Sequence, residues 1–86
     1  MPEICRFFGI IITMNYSDHA PPHFHVRYGE YKALISIQSL VVLQGQLSPR
    51  AFGLVMEWAS LHRVELQENW NLAKQSAPLN KIVPLE

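Results

Sequence analysis

The sequence has one cysteine, Cys5, so no internal disulfide can form, and a zinc ribbon or CxxC redox pair is excluded. A lone thiol fits a reducing compartment, so a cytoplasmic setting is expected. Charge is scarce too. Only 16% of the 86 residues are charged, seven basic against seven acidic, and the formal net charge is zero. Proteins that coat nucleic acid by charge alone are usually basic, so that class is disfavoured, although a local basic patch is not. No apolar run approaches the roughly 20 residues of a membrane-spanning helix. The longest, Phe7 to Met14, is far shorter, and no membrane partner is expected. Glu3 precedes it and no small-residue cleavage site follows, so it reads as a strand and not as a leader. Internal repeats and low-complexity segments are absent.

What is present is an apolar, one-domain chain with 49% hydrophobic residues. A domain of this size buries only about 60% of the surface its unfolded chain exposes. Low charge on so small a body leaves apolar surface that a partner or a second copy can cover, so a homo-oligomer or a heteromeric pair is expected.

Cys5 to Tyr16 reads as one strand. Phe8, Ile10, Ile12, Met14 and Tyr16 are large and apolar at alternate positions, which marks a buried face. Gly9 is a candidate bulge. Asp18 and the Pro21-Pro22 pair fill a connection. His23 to Tyr28 and Tyr31 to Ile37 form a hairpin around Gly29-Glu30, a pair that suits a two-residue type II′ turn. That turn sets the register. Tyr28 faces Tyr31, Val26 faces Ala33 and Phe24 faces Ile35 on the core side. Arg27 faces Lys32, His25 faces Leu34 and His23 faces Ser36 on the outer side. Leu40 to Leu43 is a candidate fourth strand. Ser48-Pro49 is a strong helix start, and an apolar stripe through Phe52, Val55, Met56, Ala59, Leu66, Trp70 and Ala73 predicts one long helix to about Lys74. A strand-like Lys81-Ile82-Val83 follows, suited to a sheet edge or a partner. The expected fold class is α+β: a small antiparallel sheet of three to four strands with one long C-terminal helix packed on one face.

The chemistry concentrates between Asp18 and Lys32. His23 and His25 are two apart on a strand, so both rings project the same way. With Asp18 and His19 just upstream they form a candidate metal set for a transition metal such as zinc. No other cofactor is implied. Arg27 and Lys32 share the histidine face, and opposed like charges leave room for an anion. His23 and His25 as acid and base, with Arg27 and Lys32 stabilising charge, would equally suit a metal-independent ribonuclease acting on RNA. The plainest reading gives the histidines no chemistry, since histidine tolerates the solvent side of a hairpin. His62 lies on the apolar stripe three residues before Glu65. It reads first as a hydrogen-bonded structural histidine, able to join a site only around a sheet edge or across a partner.

These words together resemble a known family. MPEICRFFGI opens the chain, followed by M-x-Y-x-DH-x-PPHFHV-x-YGEYKA, then EWA-x-LH-x-x-EL-x-x-NW, then PLNKI. The pattern resembles a small bacterial family catalogued as domain of unknown function 4160 and covers nearly the whole chain. The resemblance implies a short stand-alone bacterial protein encoded beside a second small protein, in an arrangement like a toxin–antitoxin pair. The expected function is therefore a protein–protein interaction module that binds its neighbour. The metal-independent ribonuclease on His23 and His25 and the metal-binding module on Asp18, His19, His23 and His25 are the alternatives.

Overall fold

Phe8 and Gly9 both take left-handed backbone conformations, with φ of 48° and 80°, and so form a two-residue turn. A computed structural model of the chain describes residues 2–86. In it the expected first strand is a hairpin: β1 (Glu3–Phe7) pairs antiparallel with β2 (Ile10–Thr13). Alternation across this segment is apolar throughout, which disguised the turn. The parity of the buried positions reveals it. Past the irregularity between Glu3 and Cys5, which leaves Ile4 buried as well, Cys5 and Phe7 are buried at odd numbers, and Ile10, Ile12 and Met14 at even ones. A two-residue turn produces that switch. Phe8 and Tyr16, expected in the buried row, are exposed.

The second hairpin forms as its turn chemistry dictates. Gly29 has φ 59°, and β3 (His23–Tyr28) pairs with β4 (Tyr31–Ser36) in the expected register, from His23 opposite Ser36 to Tyr28 opposite Tyr31. The last strand, β5 (Val42–Gly45), lies slightly later than Leu40 to Leu43. The sheet therefore has five strands, in the order β1-β2-β3-β4-β5, where three to four were expected.

One face of this meander carries Cys5, Phe7, Ile10, Ile12, Phe24, Val26 and Ile35, all buried. Cross-strand pairing places two rows on the other face. Arg6, Ile11, Arg27 and Lys32 align across β1 to β4, and Thr13, His25, Leu34 and Gln44 align across β2 to β5.

The helical segment starts where the sequence places it. Pro49 opens the helix, and the Ser48 side chain accepts a hydrogen bond from the Ala51 N–H at 3.3 Å. It is not one helix, however. α1 (Pro49–Leu61) ends at His62, whose φ of −124° and ψ of 27° leave the helical region, and α2 (Arg63–Lys74) begins after it. The apolar stripe runs through the break unaltered and so carries no sign of it. At about 100° per residue, Trp58 and Trp70 would sit roughly 120° apart on a continuous helix. The break lets each make its own contact. Trp58 packs in the core beside Phe7 and Phe24, and Trp70 packs on the ring of His23 at the start of β3.

The tail runs along the β1 edge. The Ile82 N–H donates to the Ile4 carbonyl at 2.9 Å, and the Trp58 indole N–H donates to the Val83 carbonyl at 2.9 Å. The buried Asn69 amide both donates to the Asn80 carbonyl and accepts from the Asn80 N–H. One sheet edge is thus occupied, while β5 remains at the other. No helix among the described residues is long and apolar enough to cross a membrane.

Candidate functional site

Three side chains converge where the loop after β2 meets β3. Asp18 Oδ2 lies 3.0 Å from His23 Nε2 and 3.2 Å from His25 Nε2. The possible ligand atoms of the three residues all lie within 4.8 Å of one another. His23 and His25 come together because β3 repeats every two residues. Asp18 joins them because the loop folds back over the start of the strand. Ser17 adopts φ 53° and donates its N–H to the Ala73 carbonyl of α2 at 3.4 Å, and the Ala20–Pro21 bond is cis.

Each ligand atom has a supporting partner. His23 Nδ1 lies 2.8 Å from the Pro21 carbonyl oxygen, which can only accept, so Nδ1 carries a hydrogen; Nε2 then holds a lone pair in the neutral ring and donates to Asp18 in the protonated one. Asp18 Oδ1 accepts the His19 backbone N–H at 2.8 Å, leaving Oδ2 free to face the histidines. The Asn15 amide nitrogen sits 3.3 Å from His25 Nε2 and 3.5 Å from Asp18 Oδ2. Burial pushes the Asp18 carboxyl upward. The hydrogen bond from His25, the His19 N–H and the charge and hydrogen bond of His23 together outweigh that, so its pKa lies below the usual aspartate value.

His23 does not lie on an open outer face as the hairpin alone implied. It is buried, its ring 5.2 Å from that of Trp70 and 5.2 Å from that of His25. The one long helix expected from the sequence lies on the core side only. The break at His62 carries Trp70 to the end of the sheet. Asp18 and His25 are half-buried, which leaves one side of the cluster open toward a depression lined by His19, Ala20, Leu43 and Gln44. His19 enters the cluster through its backbone N–H. Its ring is exposed and is not among the converging ligand groups.

Arg27 and Lys32 are opposed and exposed on the same sheet face, one row from His25. His62 belongs elsewhere. Its Nδ1 pairs with Glu65 Oε1 at 2.5 Å and its ring lies 5.6 Å from that of Trp58, at the joint between the helices. Two members of the cluster's surroundings escaped sequence reasoning. Asn15 was legible, since β2 parity puts it on the outer face with Thr13. Trp70 was not, since nothing in the chain marks the turn of α2.

The fold and site define a class: a small α+β domain with a five-stranded antiparallel meander, a broken helix on one face, and an Asp–His–His cluster at one end. Residues 9–71, most of the chain, match the family described as Domain of unknown function (DUF4160), and the protein belongs to that family. No curated protein and no solved structure matches it.

Proposed function

We propose that the domain binds one divalent transition-metal ion through Asp18 Oδ2, His23 Nε2 and His25 Nε2. The observation that carries this reading is the convergence of three possible ligand atoms within 4.8 Å of one another. With its hydrogen on Nδ1, a neutral His23 turns a lone pair toward a carboxylate oxygen 3.0 Å away. Two acceptors at that separation need a cation between them, either a proton or a metal ion. A tetrahedral site with bonds of about 2.0–2.1 Å has ligand–ligand edges of roughly 3.3 Å, close to the two spacings found. The surroundings agree as well. Metal-bound histidine characteristically donates its second N–H to a carbonyl, and a ligating carboxylate is itself hydrogen-bonded, as His23 and Asp18 are. Two imidazoles and one carboxylate suit zinc or ferrous iron and leave coordination positions for water or substrate on the open side. The metal would serve there as a Lewis acid.

Metal content of untagged protein and a zinc titration test this reading. One equivalent is expected for the wild type, with binding lost in Asp18→Asn and His25→Ala. Absence of stoichiometric binding, or binding that ignores both substitutions, removes it. The metal-independent ribonuclease fits less well, because acid and base histidines each need a nitrogen that reaches substrate, and both nitrogens of buried His23 are engaged.

The partner-binding reading draws on a separate observation. Among the described residues β5 pairs only with β4 and so forms a sheet edge, with Leu43 in the strand and Val41 just before it exposed. A strand from the neighbouring gene's product could extend the sheet there, in a bacterial, cytoplasmic, toxin–antitoxin-like pair. Co-expression of the two chains tests it. Failure to co-purify, with no growth effect of this chain alone, would leave it without support.

A further inference from the structure

A second depression lies on the outer sheet face and shares a wall with the histidine cluster. It encloses about 440 Å³ and is lined by Arg6, Ile11, Arg27, Lys32 and Leu34, with His25 at one end. Its cations stand in one cross-strand row, Arg6–Ile11–Arg27–Lys32. They are not equivalent. Arg6 is held by Glu3 through two hydrogen bonds of 2.7 and 3.2 Å, which also accounts for the one acidic side chain in the lining. Arg27 and Lys32 sit directly opposite each other, and among the described residues neither has an acidic partner. Directly opposed like charges destabilise a sheet pair, so this arrangement works against the fold unless something anionic lies between them.

We propose that this trough binds the dianionic phosphate of a phosphomonoester. Two unneutralised positive charges match a dianion. The arginine fork and the three ammonium hydrogens of lysine suit a tetrahedral group with several acceptor oxygens. Ile11 and Leu34 provide apolar floor for the organic part of the ester. His25 lies one row away along β3, roughly 6.6–6.8 Å in backbone rise from Arg27, so the bound phosphate sits beside the Asp18–His23–His25 cluster. The proposal rests on the metal reading only for what the phosphate meets at that end.

The test is a titration of metal-free protein with p-nitrophenyl phosphate at constant ionic strength, followed by amide NMR shifts, with inorganic phosphate as a second arm. Shifts are expected at Ile11, Arg27, Lys32 and Leu34, with the ester binding more tightly than inorganic phosphate. Arg27→Gln/Lys32→Gln should weaken binding by about tenfold or more, because it removes charge-assisted bonds. Asp18→Asn, a residue outside the trough, should leave phosphate binding within about twofold while abolishing zinc uptake. The double variant should take zinc like the wild type. No binding by the wild type, or equal binding by the double variant, overturns the proposal. Ester binding no tighter than inorganic phosphate overturns the assignment of an ester. Binding that needs Arg27 and Lys32 in a protein that takes no zinc supports the proposal and overturns the metal reading alone.

Discussion

The ring of Trp70 lies 5.2 Å from the ring of His23, at an interplanar angle of 51°. A residue of the second helix thereby closes the back of a cluster built on the second hairpin. It also buries one of the three groups on which the proposed metal centre depends.

Trp70→Ala should therefore act on stability and site together. The lost burial should cost about 3–5 kcal/mol in urea unfolding. Because that loss is large for a small domain, Trp70→Phe is the informative companion. It keeps an aromatic wall and should retain most of the stability and the zinc affinity. Equal zinc affinity in a folded Trp70→Ala protein would show that His23 needs no such wall.

His62 should prove structural. Its pair with Glu65 and its contact with Trp58 hold the joint between α1 and α2. His62→Ala should lower stability by about 1 kcal/mol. Zinc and phosphate titrations should remain unchanged, whereas a loss of either ligand would place His62 in the site.

Two glycines should respond in opposite directions to alanine. Gly45 has φ 83°, and an added Cβ would overlap the Lys32 carbonyl oxygen. Gly45→Ala should disrupt the β4–β5 pairing and cost more than the roughly 1 kcal/mol of left-handed strain alone. Gly53 lies inside α1 with open space around its Cβ position. There alanine should stabilise by about 0.5–1 kcal/mol through helix propensity. Thermal melts of the two variants check both signs.

Cys5 should limit alkaline stability. Burial pushes its thiol pKa above the ordinary value. A group with a raised folded pKa keeps the stability it contributes below the unfolded value. That stability is lost as pH rises from the unfolded pKa through the folded one. Wild-type stability should therefore decline from about pH 8.5 upward relative to Cys5→Ala or Cys5→Ser. At pH 7.5 the native thiol should react slowly with a maleimide and quickly once unfolded. A native thiol that reacts at the unfolded rate would contradict its burial.

Local chemistry alone settled much of this protein. The Gly29-Glu30 turn set the β3–β4 register, because a two-residue hairpin turn permits one pairing and a slip would reverse every side chain. Ser48-Pro49 set the start of α1, because a capping hydroxyl and a fixed φ act within one turn. Strand period put His23, His25 and Arg27 on one side of β3. Tertiary structure decided the rest. The apolar run around Phe8-Gly9 reads as continuous, since both strands of its hairpin bury their side chains, and only the packed sheet shows the parity switch. No residue type marks the break at His62, since the apolar stripe crosses it unchanged. Only the competing demands of Trp58 in the core and Trp70 on His23 require it. Asp18 became a member of the cluster while the ring of His19 did not, because loop geometry depends on long-range contacts such as Ser17 to Ala73. The sequence supplied the donor atoms, and the fold alone chose which three of them meet.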